Sequence, residues 1–228
     1  MLTVDRSTHR LWRPQEFGRR AARDIDDPLV EPLWTGLRIL AHVDRGRADV
    51  VDRHGERAGT PDLARAIGDA IGASSAVLDG YLTDDLERQA RVSMDANDRP
   101  TVGGHTRQML FGQRRERKER VLLRLIDEEL TGTAPRSGSA AFVAVDVLAV
   151  DDEPLLEIPL LERKRLLESI VTASDQVRIG VHVRPPLGSW IPTWRELGFE
   201  GLAFKAANSR YTPGRANDGW SVAQMPTR

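Results

Sequence analysis

Cysteine is missing from all 228 residues. That excludes a disulfide framework and any thiolate metal site, and it makes a reducing cytoplasm the default setting. Lysine is almost missing too: of the 33 basic residues only Lys118, Lys164 and Lys205 are lysines, the rest being arginine. A GC-rich codon bias accounts for the preference, and it leaves few amines that could act as nucleophiles. Neither charge sign dominates; the formal net charge is −1, so no global field draws nucleic acid to the chain. No apolar run approaches the ~20 residues that a membrane helix requires. Charges run through the N-terminal stretch, so no signal peptide is read there. The histidines (His9, His42, His54, His105, His182) never fall at His-x-His or His-Glu-x-x-His spacing, so no metal site built on them is expected. No Ser/His/Asp order or glycine-rich phosphate loop stands out either. The expectation is a soluble, cytoplasmic protein with no membrane contact.

The chain is long enough to bury a proper core. Arg38 to Asp52 alternates apolar and polar residues around Asp44-Arg45-Gly46, which predicts a hairpin. Thr60-Pro61 opens a helix with a capping hydroxyl and a first-turn proline; Leu63, Ile67 and Ile71 line one face and Gly72 closes it. Val77 to Leu82 predicts a short buried strand. Gln113 to Leu130 predicts a long helix with Val121, Leu122, Leu125, Ile126 and Leu130 on one side. Further along come a strand apolar on both faces from Ala140 to Val150, an amphipathic helix from Pro159 to Ala173, a strand from Gln176 to Val183, a short helix from Thr193 to Leu197 and a strand from Gly201 to Ala206. Residues 84–104 are polar and glycine-rich, and with the basic residues after them predict an insertion near 84–124; Thr131 to Ser139 is turn-like. Strands and helices mix without a strict βαβ rhythm, which predicts an α+β fold. No repeat or composition shift divides the chain, so residues 1–228 are read as one domain.

Several segments carry a family pattern in order. Glu31-Pro32-Leu33-Trp34-Thr35-Gly36-Leu37-Arg38 precedes a strand-like run from Ile39 to Val43. Val77-Leu78-Asp79-Gly80-Tyr81-Leu82 follows, then Phe142-Val143-Ala144-Val145-Asp146-Val147-Leu148. Next come Ile158-Pro159-Leu160 with Arg163-Lys164-Arg165-Leu166-Leu167-Glu168, and Gly198-Phe199-Glu200-Gly201-Leu202-Ala203-Phe204-Lys205. Asn208-Ser209-Arg210-Tyr211-Thr212-Pro213-Gly214-Arg215 and Trp220 complete the set. Each piece is weak; the ordered set, spanning roughly residues 12 to 225, resembles the adenylation (nucleotidyltransferase) domain of the ATP-dependent DNA ligases. The resemblance implies an ATP-grasp-like fold of antiparallel sheets flanked by helices. It also implies ATP and Mg2+ as cofactors, DNA as the substrate, and a following OB-fold domain that these residues do not contain.

In that family a lysine in the first segment attacks the α-phosphate of ATP and carries AMP covalently. Here that slot is Leu33, which has no lone pair to offer phosphorus. Thr35 stands in an aspartate slot, Tyr81 in a glutamate slot, Val145 in the slot of the adenine-stacking aromatic, and Val222 and Gln224 in the two lysine slots of the last motif. Basic and acidic groups have gone together. Losing only the lysines would leave buried carboxylates unpaired, at a cost of several kcal/mol; losing both leaves a neutral, packable cleft. The loss of the aromatic also removes the stacking contribution of about 1–3 kcal/mol. The resemblance leaves Arg38, Asp79, Glu200 and Lys205 as cofactor-binding candidates, Glu200 being the metal candidate. An ordinary ion pair between Glu200 and Lys205 is the competing reading, and Trp34 is read as a core residue.

A second constellation is basic. His105 to Arg124 holds Arg107, Arg114, Arg115, Arg117, Lys118, Arg120 and Arg124 against Glu116 and Glu119. Phosphate backbones attract such a run, and Arg114, Arg115, Arg117 and Lys118 are the nucleic-acid candidates; a solvated, partly paired helix face is the plain alternative. The expectation is therefore a ligase-like adenylation domain that has lost self-adenylation and serves as a binding or scaffold protein in DNA repair or recombination, with DNA or a repair protein as partner. Two alternatives stand beside it: an active nucleotidyltransferase that uses Lys205, and a noncatalytic nucleotide sensor built on Arg38, Glu200 and Lys205.

Overall fold

The computed structural model describes residues 9–84, 123–132 and 140–226. The insertion expected near 84–124 and the turn region near 131–139 lie almost entirely outside them. The larger sheet runs β4(Arg47–Asp52), β3(Leu37–Asp44), β5(Ser75–Thr83), β6(Ala141–Val150), β7(Glu153–Pro154), with β8(Val177–Ile179) added in parallel to β6. A second sheet has the order β11(Trp220–Gln224), β9(Gly201–Ala206), β2(Pro28–Pro32), and β1(Glu16–Phe17) pairs with β10(Ala216–Asn217). Among the described residues the main α-helices are α1(Pro61–Asp69), α2 (residues 123–130), α3(Leu160–Ile170) and α4(Trp190–Glu196), with a short 3-10 turn at Ala22–Asp24. Apart from β8 and the short β1–β10 pair, the strand pairings are antiparallel. The α+β expectation holds.

Strand alternation decides what faces the cleft. On β3, Ile39, Ala41 and Val43 enter one apolar cluster with Leu63 and Ile67 of α1 and Leu167 of α3. Leu40 lies on the opposite face and enters a second cluster with Leu29, Ala203, Trp220 and Val222 of the smaller sheet. Arg38, two residues from Leu40, shares that second face. On β5, Leu78 and Leu82 point to the helices, and Val77, Asp79 and Tyr81 to the other side. One face of a single sheet thus presents Arg38, Asp79 and Tyr81 together. β6 is buried on both faces for almost its whole length, as its unbroken apolar run requires.

Several boundaries differ from the sequence reading. Thr60 caps α1 as expected, its hydroxyl accepting from the Leu63 amide at 3.2 Å, but the helix ends at Asp69 and Ile71 bridges to Val171 instead of extending it. α3 stops at Ile170, and β8 is only three residues because Val183 leaves to bridge Val30. α4 begins at Trp190, with Pro192 inside its first turn, where no intrahelical donor is needed. The hairpin turn is Arg45-Gly46, both at positive φ (48° and 75°), as the right-handed twist of two-residue connections favours. No helix among the described residues is long and apolar enough to cross a membrane.

The β5–β6 register shifts twice, between Val77 and Leu78 and between Asp79 and Gly80. A Cβ at Gly80 would lie 2.3 Å from the Val143 carbonyl oxygen and 2.4 Å from the Phe142 ring. The glycine therefore lets two core strands approach beside Asp79. Gly80→Ala should destabilise the protein by about 1–3 kcal/mol through overpacking; chemical denaturation measures this, and a stability equal to wild type would show that the strand moves freely.

Candidate functional site

Arg38 and Asp79 stand at diagonal positions on adjacent strands, since Arg38 pairs with Tyr81 and Asp79 with Leu40. A long guanidinium spans that diagonal. It donates from Nε to Asp79 Oδ1 at 2.9 Å and from Nη2 to Oδ2 at 2.8 Å, a two-pronged pairing that fixes the orientation of both groups. Tyr211 donates its hydroxyl to Asp79 Oδ2 at 2.7 Å. The third guanidinium nitrogen, Nη1, donates at 2.5 Å to Glu129 of α2, whose same oxygen accepts from the Tyr81 hydroxyl at 3.1 Å. Burial disfavours the charge on Arg38, but Asp79 and then Tyr81 and Glu129 outweigh it and hold Arg38 firmly protonated. Burial raises both phenols well above the usual range, so they act as hydrogen-bond donors. The guanidinium carbon lies 5.4 Å from the Tyr81 ring centroid, 5.6 Å from Trp220 and 5.8 Å from Phe17, distances at which ring faces attract a cation.

A second buried group adjoins it. Lys205 and Trp220 are direct cross-strand partners, and Glu31 sits one pleat along from Lys205 on the neighbouring strand. Lys205 donates to Glu31 at 2.8 Å, Lys164 of α3 lies 2.6 Å from the other oxygen of the same carboxylate, and the Lys205 ammonium stands 4.3 Å from the Trp220 ring centroid. Burial pushes the Glu31 pKa upward, yet Lys164 and Lys205 outweigh it and bring it down to about 2. Lys205 shifts down, because burial outweighs the help of a carboxylate that it shares with Lys164. Arg163 forms a third buried pair, meeting Asp146 with two hydrogen bonds at 2.9 and 2.8 Å. Around Arg38 and Trp220 the formal charges of Arg38, Lys164 and Lys205 balance those of Asp79, Glu31 and Glu129.

The positions that the family pattern picks out fall into two groups. Arg38, Asp79 and Lys205 are buried in these networks. Glu200 is not: its side chain is 73% exposed and its carboxylate lies 3.6 Å from Arg124. The expected Glu200–Lys205 pair is therefore corrected, Lys205 pairing with Glu31 instead. Leu33 is buried at the edge of the smaller sheet, its amide donating to the Gly201 carbonyl at 2.9 Å. It packs in one cluster with Val222 and with Leu125 of α2. A Cβ at Gly201 would meet Leu33 at 2.9 Å and Leu125 at 3.4 Å, so both leucines lie directly on that glycine. Val145 is enclosed with Trp34, Tyr81 and Trp194, and Trp34 is a core residue that meets Phe199 edge-on at 5.0 Å. Thr35 and Gln224 are exposed. Arg114, Arg115, Arg117 and Lys118 lie outside the described residues. Among the described residues no group of three or more His, Asp or Glu side chains is arranged to hold a metal ion.

Sequence reasoning missed Glu31, Lys164, Glu129 and Tyr211. For Glu129 a signal existed: it follows Leu125 by four residues, so one turn of helix places a carboxylate on the apolar face. The space left beside Arg38, Glu129, Arg53 and Gly132 is a cavity of about 20 Å³, room for a water molecule and far below the several hundred Å³ of a typical ligand site. A larger cleft of about 440 Å³ lies at the β3–β4 hairpin, lined by His9, His42, Arg47, Asp49 and Asp152 among others. Burial there lowers the His42 pKa to about 4, so that ring is neutral at pH 7.

The Glu31 network carries a pH signature. Its folded pKa lies below the unfolded value, so ionised Glu31 stabilises the fold fully above about pH 4.5, and the contribution is lost as pH falls through about 2. Glu31→Gln should flatten that acid limb. It should also cost about 3–5 kcal/mol at pH 7, because two buried ammonium groups lose their partner. Urea unfolding from pH 7 to pH 2 tests this; equal stability of the two proteins at pH 7 would refute it.

Comparison with known proteins identifies the scaffold. Residues 20–221 match the family model described as the ATP dependent DNA ligase domain. The DNA ligase of Thermococcus onnurineus (strain NA1) is 26% identical over 211 residues, covering 90% of this chain and 32% of that protein. DNA ligase 2 of Methanosarcina acetivorans is 26% identical over 208 residues, covering 87% and 32%. The chain thus spans about a third of the length of these curated relatives. A solved structure of mycobacterial DNA ligase D complexed with ATP and MES is similar at a TM-score of 0.60 and 20% identity, over 96% of this chain and 62% of that one. The ligase domain of M. tuberculosis LigD gives 0.57 at 20% identity, over 92% and 58%; at that identity the likeness is one of fold. Motif order, sheet arrangement and family match agree, and the chain belongs to the ATP-dependent DNA ligase domain family as a ligase-like adenylation domain.

Proposed function

We propose that this chain is a single ligase-like adenylation domain that no longer adenylates itself and works as a noncatalytic binding or scaffold component, in the setting of DNA repair or recombination. The observation that carries this reading is the burial of Leu33 among Val222, Leu125 and Gly201. The nucleophile slot is filled by hydrocarbon, and a second apolar side chain is stacked over it. ATP and Mg2+ do not fit the residues present. Arg38 is already bound by two carboxylates, the adenine slot is closed by packed side chains, and Glu200 stands on the surface. No catalytic step is therefore derived through either group.

The same geometry weighs against the alternatives. Lys205 as a replacement nucleophile would have to leave Glu31 and the Trp220 face, and it is only 2% exposed. A sensor using Arg38, Glu200 and Lys205 together would need Glu200, which stands on the surface, to join two cations that are buried around Trp220 and already paired with carboxylates. DNA remains the proposed partner on family grounds, through Arg114, Arg115, Arg117 and Lys118.

Incubation with labelled ATP and a divalent cation should yield no acid-labile AMP adduct, either in the wild-type protein or in Leu33→Lys. The lysine would enter an apolar pocket whose other catalytic groups are still missing, and such groups act as a unit. An adduct on Lys205 would overturn the noncatalytic reading, and one on the introduced lysine would show that the remaining pocket is competent. For DNA, replacing Arg114, Arg115 and Arg117 by Ala should flatten the dependence of affinity on salt, because fewer counterions are released. Nicked and intact duplexes should bind alike, since phosphate contacts position without reading bases. No binding at low salt, or an unchanged salt slope in the triple variant, would remove DNA as the partner through this run.

A further inference from the structure

We infer that α2 is a latch: the chain occupies its own cleft with Leu125 and Glu129, and an anionic ligand reaches Arg38 only when this short helix swings out. Three observations support it. Leu125 and Glu129 are buried one turn apart on the same face, whereas Leu123, Arg124, Asp127 and Glu128 between and beside them are exposed. Ile126 and Leu130 are partly buried beside Leu125 and Glu129, Ile126 packing on the same apolar cluster as Leu125, so the helix meets the body of the protein by one face. That face engages the two chemically distinct halves of the cleft, Leu125 against Leu33 and Gly201, and Glu129 against Arg38 and Tyr81. The far end is held through its backbone. Arg53 donates to the Leu130 carbonyl at 3.0 Å, and Gly132 touches the backbone at Gly36, where a Cβ would lie 1.9 Å from the Gly36 oxygen.

Charge sets the class of ligand. With Glu129 in place, the buried groups around Arg38 and Trp220 are formally neutral. With Glu129 withdrawn, Arg38, Lys164 and Lys205 face only Asp79 and Glu31, and one positive charge is left without a partner. A buried uncompensated charge is costly, so the open cleft favours an anion, a phosphate or carboxylate group, in the place of the Glu129 carboxylate. Glu129 and that ligand compete for one guanidinium nitrogen. The ligand class rests on reading this cleft as the counterpart of the family's nucleotide pocket; the opening itself does not.

The absence of cysteine makes the latch directly readable. Leu125→Cys places a single thiol beneath α2, and Val145→Cys places one in the core strand β6 as a reference for global unfolding. Under native conditions the thiol at position 125 should react with a soluble thiol reagent at least about tenfold faster than that at position 145. Adding Glu129→Gln to the Leu125→Cys protein should accelerate labelling by about tenfold or more, the scale of a lost hydrogen bond to a charged group. ATP, used as the probe anion, should bind Glu129→Gln about tenfold more tightly than wild type by calorimetry. Amide hydrogen exchange on the unmodified protein gives the same test without substitutions: residues 123–130 should exchange faster than β5. Equal labelling at positions 125 and 145, or equal protection of α2 and β5, would overturn the latch. Faster labelling in Glu129→Gln with no gain in ATP affinity would overturn the competition for Arg38. An AMP adduct in the wild-type protein would refute the noncatalytic reading and leave the labelling result intact.

Discussion

The pairing of Arg38 with Asp79 is the constraint around which the cleft is organised. Asp79 is fully buried, and an ionised carboxylate there requires strong partners. The guanidinium meets both of its oxygens, Tyr211 adds a third hydrogen bond, and the remaining guanidinium nitrogen is left to face the cleft. Because Arg38 lies on β3, Asp79 on β5 and Tyr211 in the segment before β10, the pair ties the larger sheet to the C-terminal part of the chain. Glu129 then completes the coordination from α2. Removing any one member would leave a buried charge or phenol unsatisfied, which is why the group stands or falls together.

Trp220 is the other organising side chain. It is fully buried, its indole N–H donates to Ser209 at 3.0 Å, and its ring has Arg38 and Lys205 within cation–π range. Phe17 and Tyr211 flank the ring at 5.8 Å each. Two cations that repel each other in an apolar interior thereby share one ring and are each supplied with a carboxylate. The charges of this polar interior are balanced internally, by Glu31 on one side and Glu129 on the other, and Leu33, Val222 and Leu125 pack together in the adjoining apolar cluster. The result is a cleft whose buried charges are paired within the chain and whose apolar part is packed by Leu33, Val222 and Leu125.

Much of the fold was legible residue by residue. The Arg38 to Asp52 hairpin followed from alternation and a glycine turn, α1 from Thr60-Pro61 and its apolar stripe, and β6 from an apolar run with no polar face; each is a local signal that the tertiary structure only had to accept. The ends of elements were less legible, because they depend on competing partners. Val171 and Ile71 stop two helices by bridging to each other, and Val183 leaves β8 for Val30. β2 went unread as a strand because prolines stand at both of its ends; the structure places it at the edge of its sheet, the position where a missing amide is tolerated.

The sequence by itself determined which side chains stand at the positions of the pattern. Leu33, Val145 and Tyr81 are facts of composition at a position, and no folding can change what they offer. It also determined which residues carry the family pattern, since motif order is one-dimensional. Only the tertiary structure decided who pairs with whom. Lys205 could meet Glu200, five residues away, or Glu31, far away in sequence; strand register put Glu31 on the same face of the sheet and left Glu200 in solvent. Likewise Glu129 reads locally as one more acid on a charged helix, and it becomes the partner of Arg38 because packing turns that face of α2 inward. Buried ion pairs are set by three-dimensional proximity under a desolvation penalty, and that proximity has no signature in sequence spacing.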